Sequence, residues 1–488
     1  MTSKHAPPAP SNADARVTRH VKRVTSQPTV SVTRYALRVT RHDRVSAKHA
    51  PPKSRTRKND TFSRDGYRIT TLRNGVGVAL KAMPHAQSVS VGVWVRAGGR
   101  FETAERAGIS HFVEHLLFKG TRRHSCEALK RRIEGVGGSL NGFTAEEFTC
   151  YMAKVPVRHS RHAVEVLAEM VCAPRMDARD VEKEREVILE EIRMYEDAPG
   201  QMVHDLFSEL LWPDHPLGML LSGTIDTVRR LTREDLIRYW RRMYQSRHLV
   251  VSVAGALDPD EMLSRVGRAF RSARPHPVPK CSRAPRPRRG PQVRVWNKPT
   301  EQTHLCLGMY AIPRTHPDRF ALELLHVLLG ANMSSRLFRE VREKRGLVYE
   351  IGTQIKRFED TGAFVISAGC DAEKLADTLH VVLTELSTIR RGLVSRAELQ
   401  RAKEYYAGQL LMGLEDTMDH MGWMGEQAVT VGRIARPETL LAHLANVTAQ
   451  DIRRVARHLF VTPRTHLAIV GPVSEPEAAR LKTLCRIP

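Results

Sequence analysis

Two histidines four residues apart, with a glutamate between them, form a pattern suited to binding a metal ion. The segment reads Ser110-His-Phe-Val-Glu-His-Leu-Leu-Phe118, so the residues able to do chemistry are His111, Glu114 and His115. Its apolar residues recur at helical spacing, and Gly120 is a residue type that commonly ends helices. Because positions i and i+4 of a helix share a face, both imidazoles can point at one ion.

The chemistry expected of this segment is zinc-assisted hydrolysis. Two imidazoles and one further carboxylate suit Zn²⁺ and leave a fourth position open for water. Glu114 lies about 60° from one histidine and about 100° from the other around the helix axis. It is therefore near the metal but turned aside, where it can take a proton from metal-bound water. We predict one zinc ion per chain, with His111 and His115 as ligands and Glu114 as the catalytic base.

The third ligand should be an acidic residue on another rigid element. Residues 182–196 form a glutamate-rich helical pattern, and we expect its buried stripe to comprise Val187, Ile188, Ile192 and Tyr195. Glu184 and Glu191 are two helical turns apart and share a face beside that stripe. Most glutamates on such a helix are solvated, and spacing alone leaves Glu184, Glu190 and Glu191 as candidates for the ligand.

The rest of the chain divides into two similar halves. Thr232-Arg-Glu-Asp235 and Thr448-Ala-Gln-Asp451 each place an N-cap residue before a helical pattern, and an apolar strand follows each helix. A proline- and arginine-rich linker at residues 274–291 separates the halves. We predict an α+β fold with two homologous domains, each an antiparallel sheet with helices packed on one face. The catalytic, zinc-binding domain would span residues 65–273, and an inactive homologous domain 292–488.

The N-terminal residues 1–64 have the composition of a basic, low-complexity tail. Of the net charge of +24, residues 1–60 supply 14 Lys/Arg against 3 Asp. Few large apolar residues are available to offset the ordering entropy, so we predict that the tail is disordered. A nucleic-acid-binding arm, an organelle transit peptide and a solvated tail without function are the alternatives. No binding motif accompanies the charge, so we do not predict nucleic-acid binding.

The lengths of the apolar runs and the pattern of cysteines indicate where in the cell the protein is found. No run approaches the roughly 18 apolar residues of a membrane span. The 7 cysteines are scattered and form no C-x-x-C pair, which argues against a disulfide framework or a cysteine zinc site. We expect a cytoplasmic protein, with the mitochondrial matrix as the alternative.

The metal-binding pattern resembles that of the pitrilysin/insulinase family of zinc peptidases, inverzincins with the signature H-x-x-E-H. The resemblance runs from about Thr71 to Val470. It is carried by Val-Trp-Val-Arg-Ala-Gly at 93–98, Gly-Ile-Ser-His-Phe-Val-Glu-His-Leu-Leu-Phe-Lys-Gly-Thr at 108–121 and Arg-Glu-Val-Ile-Leu-Glu-Glu-Ile at 185–192. It is strongest for the half-length branch, which includes bacterial processing-type peptidases and the mitochondrial processing peptidase.

The resemblance implies roles for residues outside the metal-binding segment. It makes Glu191 the third zinc ligand and Glu184 an accessory glutamate. Asn141 falls on the family's substrate-binding edge strand, where a peptide adds as an extra strand. The family usually has alanine after this asparagine, whereas this chain has Gly142.

The second half lacks H-x-x-E-H but matches a different family feature. Arg342 and Tyr349 correspond to a pair that holds substrate and stabilises the oxyanion. In half-length members this pair reaches the active site from a partner subunit, so the resemblance implies a homodimer.

These observations predict a zinc-dependent metalloendopeptidase that hydrolyses peptides or unfolded polypeptide segments, in the manner of a processing peptidase. Water activated by Glu114 on the zinc ion would attack the peptide bond. The alternative is a catalytically silent scaffold or partner subunit of a peptidase complex. Degraded metal ligands would mark such a subunit, whereas this chain retains all of its motif residues.

Overall fold

The structure is a computed structural model that describes residues 61–62, 67–277, 280–286 and 290–488. All of these residues belong to one compact unit. The predicted tail lies outside the described residues except for Thr61–Phe62, which form a short strand. Parts of the predicted linker, residues 278–279 and 287–289, also lie outside them.

Seven strands form the first sheet, in the order β1-β2-β3-β7-β4-β6-β5. Their bounds are β1 Thr61–Phe62, β2 Tyr67–Thr71, β3 Gly77–Ala82, β4 Ser88–Val95, β5 Ser139–Thr144, β6 Thr149–Pro156 and β7 Leu249–Gly255. Neighbouring strands are antiparallel except β3 and β7, which pair in parallel. The helices of this half are α1 Ile109–Leu117, α2 Cys126–Ile133, α3 Ser160–Cys172, α4 Ala178–Glu196, α5 Pro199–Leu211, α6 Ile225–Arg230, α7 Arg233–Met243 and α8 Pro259–Ala269.

Five strands form the second sheet, in the order β10-β11-β9-β12-β8. Their bounds are β8 Gln292–Asn297, β9 Thr303–Ala311, β10 Val348–Arg357, β11 Gly362–Cys370 and β12 His466–Gly471. One pair, β12 and β8, is again parallel. The helices are α9 Arg319–Gly330, α10 Leu375–Arg391, α11 Arg396–Gly413, α12 Thr417–Val431, α13 Pro437–Ala445, α14 Ala449–Leu459 and α15 Glu475–Leu484, and a short π-helical segment spans Phe338–Glu343.

The predicted fold class is confirmed, with two differences of detail. The chain folds into two predominantly antiparallel sheets with helices, but each sheet contains one parallel pair. Helices also cover both faces of each sheet rather than one, because the two faces belong to different core clusters. The domain boundaries at residues 65–273 and 292–488 stay predictions.

Each half contributes one helix to the sheet of the other half. Helix α12, from the second half, packs on β3, β4 and β7 of the first sheet. Helix α5, from the first half, packs on β9 and β12 of the second sheet. On β4, alternate valines face the core of their own half, while Trp94 packs in the core cluster that contains Met421 of α12. A Cβ at Gly425 would lie 1.9 Å from Trp94 Nε1, so this helix needs glycine where it crosses the strand.

A buried ionic cluster joins the first half to the second. The Glu147 carboxylate accepts hydrogen bonds from Arg100 Nη1 at 2.6 Å and from the Glu359 backbone N–H at 2.9 Å. It also pairs with Arg314 Nη2 at 2.6 Å. The Arg100 guanidinium, whose side chain is 0% exposed, donates to the Ser282 carbonyl in the connecting segment as well. The turn between β5 and β6 is therefore tied to three separate parts of the chain.

Charge complementarity keeps Glu147 ionised inside this cluster. Burial alone would raise the pKa of the carboxyl. The positive charge of Arg314, the hydrogen bond from Glu359 N–H and the charge of Arg100 outweigh burial and lower the pKa of Glu147 below its usual value.

Candidate metal centre

Helix α1 presents the two histidines, and its N-terminus is fixed by a buried carboxylate. Glu102 accepts hydrogen bonds from the backbone N–H groups of Gly108 and Ser110, both at 2.8 Å. These are among the N–H groups that a helix leaves without internal partners. The apolar side of α1 is buried in the first core, through Ile109, Phe112, Val113, Leu116 and Leu117. The opposite side, with both histidines, faces α4 and β5.

Three side chains converge at this face with the donor set that zinc prefers. His111 Nε2 and His115 Nε2 lie 3.2 Å apart. Glu191 Oε2 lies 3.8 Å from the first nitrogen and 3.6 Å from the second. Across the described residues, no other group of three or more His, Cys, Asp or Glu brings its ligand atoms within 4.8 Å of one another. Two imidazole nitrogens and one carboxylate oxygen in this arrangement fit a zinc ion.

The geometry separates the three glutamates that spacing left as candidates. Glu191 approaches the Nε2 atoms, whereas Glu184 lies 3.2 Å from His115 Nδ1, on the other side of the ring, and 2.5 Å from Lys119 Nζ. Glu190 is exposed and pairs with Arg193 on the same helix. We propose that Glu191 is the third ligand and that Glu184 orients a ligand.

One part of the stripe predicted for α4 was wrong. Ile188 and Ile192 are buried, but Val187 is 48% exposed and Tyr195 is half-buried. The buried side is instead completed by Val181 and Leu189. An apolar residue next to the stripe in sequence is rotated about 100° from its neighbour, so it can face solvent.

Burial and neighbouring groups shift the pKa values of the two histidines in opposite directions. Burial, and then the charge of His115, lower the pKa of His111 to about 3. Burial would also lower the pKa of His115, but the hydrogen bond with Glu184 and the charges of Glu114 and Glu191 raise it above its usual value.

Glu114 is buried beside the metal-binding side chains and has a strongly shifted pKa. Burial raises its pKa to about 7, which the charge of His115 and a hydrogen bond from Thr144 partly oppose. Thr144 Oγ1, at the end of β5, donates to Glu114 Oε2 at 2.7 Å. A carboxyl with a pKa near neutrality, oriented by the Thr144 hydroxyl, suits a general base. The sequence does not indicate this role of Thr144, because helical geometry locates Glu114 on α1 but says nothing about which strand faces it.

The structure places Asn141 on β5, the last strand of the first sheet. Its side chain is exposed, and its Oδ1 accepts a hydrogen bond from Gly142 N–H at 2.8 Å. Among the described strands β5 pairs with β6 alone, so one of its edges is free to accept another strand.

Arg342 and Tyr349 contact each other but do not contact the metal-binding residues of the same chain. The guanidinium carbon of Arg342 lies 5.3 Å from the centre of the Tyr349 ring, which is 72% exposed. In the part of the chain that the structure describes, neither residue forms a hydrogen bond or ion pair with His111, His115 or Glu191.

Replacing Glu184 by glutamine should weaken zinc binding by about tenfold or more, because the carboxylate that orients His115 through Nδ1 is lost. A competition titration against a zinc-binding dye would measure the affinity. Glu186→Gln, an exposed position on the same helix, is the matched control. Equal zinc affinities in the two variants would contradict the orienting role.

The burial of Glu102 predicts a pH dependence of stability. Burial raises its pKa from 4.5 to about 7, although hydrogen bonds from Ser110 and Gly108 oppose the shift. A carboxyl with a raised folded pKa contributes stability that is complete below the unfolded pKa and is lost as the pH rises through 7. Relative to Glu102→Gln, the wild-type free energy of unfolding should fall by up to about 3 kcal/mol between pH 5 and pH 8.

Urea unfolding of both proteins at several pH values measures this difference. Glu134→Gln, at an exposed position, should keep the wild-type slope with pH. If Glu102→Gln also kept that slope, the carboxyl would not titrate in this range.

Comparison with known proteins defines the class. Residues 77–225 match the family described as insulinase (peptidase family M16), and residues 230–406 match the peptidase M16 inactive domain. The chain belongs to the insulinase family of peptidases, peptidase family M16. This confirms the resemblance stated from the motifs.

Relatives of similar length extend over most of the chain. An uncharacterized zinc protease of Streptomyces coelicolor is 38% identical over 420 residues, which cover 85% of this chain and 91% of that protein. An uncharacterized zinc protease of Bacillus subtilis is 35% identical over 402 residues, covering 82% and 97%. A solved protease structure from Helicobacter pylori has the same fold, with a TM-score of 0.79 and 23% identity over 83% of this chain and 99% of that one. The chain therefore belongs to the half-length bacterial branch of the family.

Proposed function

We propose that the protein is a zinc-dependent metalloendopeptidase that hydrolyses peptides or unfolded polypeptide segments. The observation that carries the proposal is the convergence of His111, His115 and Glu191 beside a buried Glu114. Zinc proteases among the relatives support the metal and the class of reaction.

Each residue of the metal centre would have a separate role in peptide hydrolysis. A zinc ion held by His111, His115 and Glu191 would supply a Lewis acid for water and for the scissile carbonyl. Glu114, with its pKa raised to about 7, accepts the proton of the attacking water and can pass it to the leaving amine. Thr144 fixes the orientation of that carboxylate through its hydroxyl.

The edge strand favours an extended substrate. A peptide lying along the free edge of β5 would pair with its backbone, next to the hydroxyl of Thr144 and hence next to Glu114. Most segments of a folded protein are already paired and packed, so the preferred substrates would be short peptides or unfolded segments. Asn141, exposed on this strand, would contact the substrate.

The exposed pair of Arg342 and Tyr349 supports a homodimer in which each chain completes the site of the other. The test is to mix Glu114→Gln protein with Tyr349→Phe protein, each nearly inactive alone. Random exchange of subunits would leave roughly a quarter of the sites with both intact residues, and activity should return to about that level. No recovery after subunit exchange would contradict the arrangement.

A cytoplasmic location is proposed on the state of the cysteines. All seven lie in the described part of the chain and are free thiols, as expected in a reducing compartment. None of the described helices is both long and apolar enough to cross a membrane.

The second candidate is a silent scaffold or partner subunit. It is favoured by the match of residues 230–406 to the inactive domain of the family and by the absence of H-x-x-E-H there. An intact zinc-binding set in the first half argues for an enzyme instead.

Zinc content and peptide cleavage, measured on one purified sample, separate these candidates. We expect about one zinc ion per chain and cleavage of a quenched fluorescent peptide library that a chelator stops and added zinc restores. The matched control is His111→Ala, which should lose both zinc and cleavage. Zinc without cleavage would support the scaffold, whereas neither zinc nor cleavage after zinc addition would contradict both the metal site and the peptidase.

A further inference from the structure

A groove on the first half is lined by many basic residues and lies outside the metal centre. It is a half-open cavity of about 970 Å³ between α3, α8 and the loop that follows α1. Seven arginines and three glutamates line it, and lysine is absent from the described lining. None of His111, His115 or Glu191 lines the groove.

The acidic residues of the groove are already paired. Glu165 binds Arg132 at 2.8 Å and Arg161 at 2.7 Å. Glu261 pairs with Arg265 at 2.5 Å. The remaining glutamate, Glu169, binds the ring of His124 at 2.7 Å and also accepts from the Thr121 hydroxyl.

Four arginines of the lining are left without a carboxylate. These are exposed residues that form no ion pair with any described residue: Arg122, Arg123, Arg268 and Arg271. Within the described parts of the chain, Arg268 donates only to the neutral hydroxyl of Ser264. Four like charges around one cavity repel each other, so the arrangement favours a ligand that supplies concentrated negative charge.

The lining of the groove also includes small and apolar side chains, which offer no competing charge. These are Val164, Ala168, Cys172, Ala173 and Ala269. The cavity thus combines cationic and apolar side chains, within the volume range of small-molecule sites.

We propose that this groove binds a small anion carrying several phosphate groups. A guanidinium group is planar and can donate two parallel hydrogen bonds to phosphate oxygens. A set of arginines therefore suits phosphate groups better than a set of lysines, whose ammonium groups act as point charges. Linked phosphates place several charges within one cavity. In an extended acidic peptide, side chains follow each other about every 3.3 Å but alternate between opposite faces, so only half of the charges could face the groove. The observations therefore favour a compact polyphosphate over an acidic peptide.

The ligand would also contact the loop that leaves the metal-binding helix. Arg122 and Arg123 lie in the loop between α1 and α2, whose Thr121 pairs with Pro174 in an isolated β-bridge. The proposal does not depend on peptidase activity, because the groove and the metal centre share no residue.

Isothermal titration of the full-length chain with tripolyphosphate, and separately with a nucleoside triphosphate, tests the proposal. The groove variant changes all four unpaired arginines to glutamine. Its matched control removes the same charge at four exposed arginines of the second half that form no ion pair with any described residue: Arg391, Arg396, Arg457 and Arg480. Both variants keep the basic residues 1–60, so any binding by them is the same in each.

We expect binding that weakens with added salt, and a loss of roughly 30-fold in affinity in the groove variant but not in the control. If the nucleotide bound more tightly than tripolyphosphate, the nucleoside would also contribute to binding. If both bound equally, the phosphates alone would be recognised. Absence of binding, or equal loss in both variants, would overturn the proposal. Stronger binding of poly-glutamate or of duplex DNA, lost in the groove variant, would also overturn the assignment to a small phosphate anion.

Discussion

Replacing Glu114 by glutamine should lower peptide cleavage by about a thousandfold while leaving zinc bound. Glutamine has nearly the same shape and can still accept the hydrogen bond of Thr144, but it cannot accept a proton from water. The metal-binding atoms belong to other residues, so the zinc content should not change. Burial already disfavours the charge on Glu114, so the variant should be at least as stable as the native protein.

Initial rates on a fluorescent peptide and metal analysis of the same sample measure both parts of this result. Glu190→Gln, an exposed change of the same chemistry on α4, should keep wild-type activity. Cleavage by Glu114→Gln at the rate of this control would show that another group takes the proton.

Replacing Glu147 by glutamine should lower the free energy of unfolding by about 3 kcal/mol. The variant removes the carboxylate that bridges buried Arg100 and buried Arg314, and Arg100 keeps its pair with Asp360. Because the pKa of Glu147 is lowered in the folded protein, its stabilising effect is present above the unfolded value of 4.5 and is lost as the pH falls below it. The difference between wild type and variant should therefore shrink in acid.

Urea unfolding at pH 7 and at pH 4 measures this difference. Glu359→Gln is the control, because its side chain is 52% exposed in a pair with Arg96 and should contribute less than about 1 kcal/mol. If the two variants were equally stable at pH 7, the buried cluster would not hold the halves together.

Local patterns in the sequence predicted the structure where the contacts are local. The i, i+4 spacing placed His111 and His115 on one face of a helix, and their Nε2 atoms lie 3.2 Å apart. Thr232 and Thr448 were predicted to cap helices, and each forms a reciprocal capping box with the aspartate three residues later. Such features depend on neighbours within one turn, which the sequence displays directly.

These local patterns did not predict the contacts between distant segments of the chain. Nothing in the spacing of Glu114 indicates that Thr144 donates a hydrogen bond to it. Nothing in the sequence near Arg100 indicates that its guanidinium donates to the Glu147 carboxylate and the Ser282 carbonyl. Spacing left three glutamates as possible ligands. The family resemblance selected Glu191, and the packing of α4 on α1 brings the same residue to the two histidines. The parallel pairs and the crossing helices depend in the same way on chain topology.

The crossing of α5 and α12 means that neither half is a complete folding unit. A fragment ending in the 274–291 segment would leave the face of its sheet around Trp94 without α12, and would carry α5 without a sheet to cover. Each fragment alone would expose apolar surface and aggregate. Two fragments produced together would instead rebuild the molecule by complementation, and a chain cut once in that segment would stay assembled.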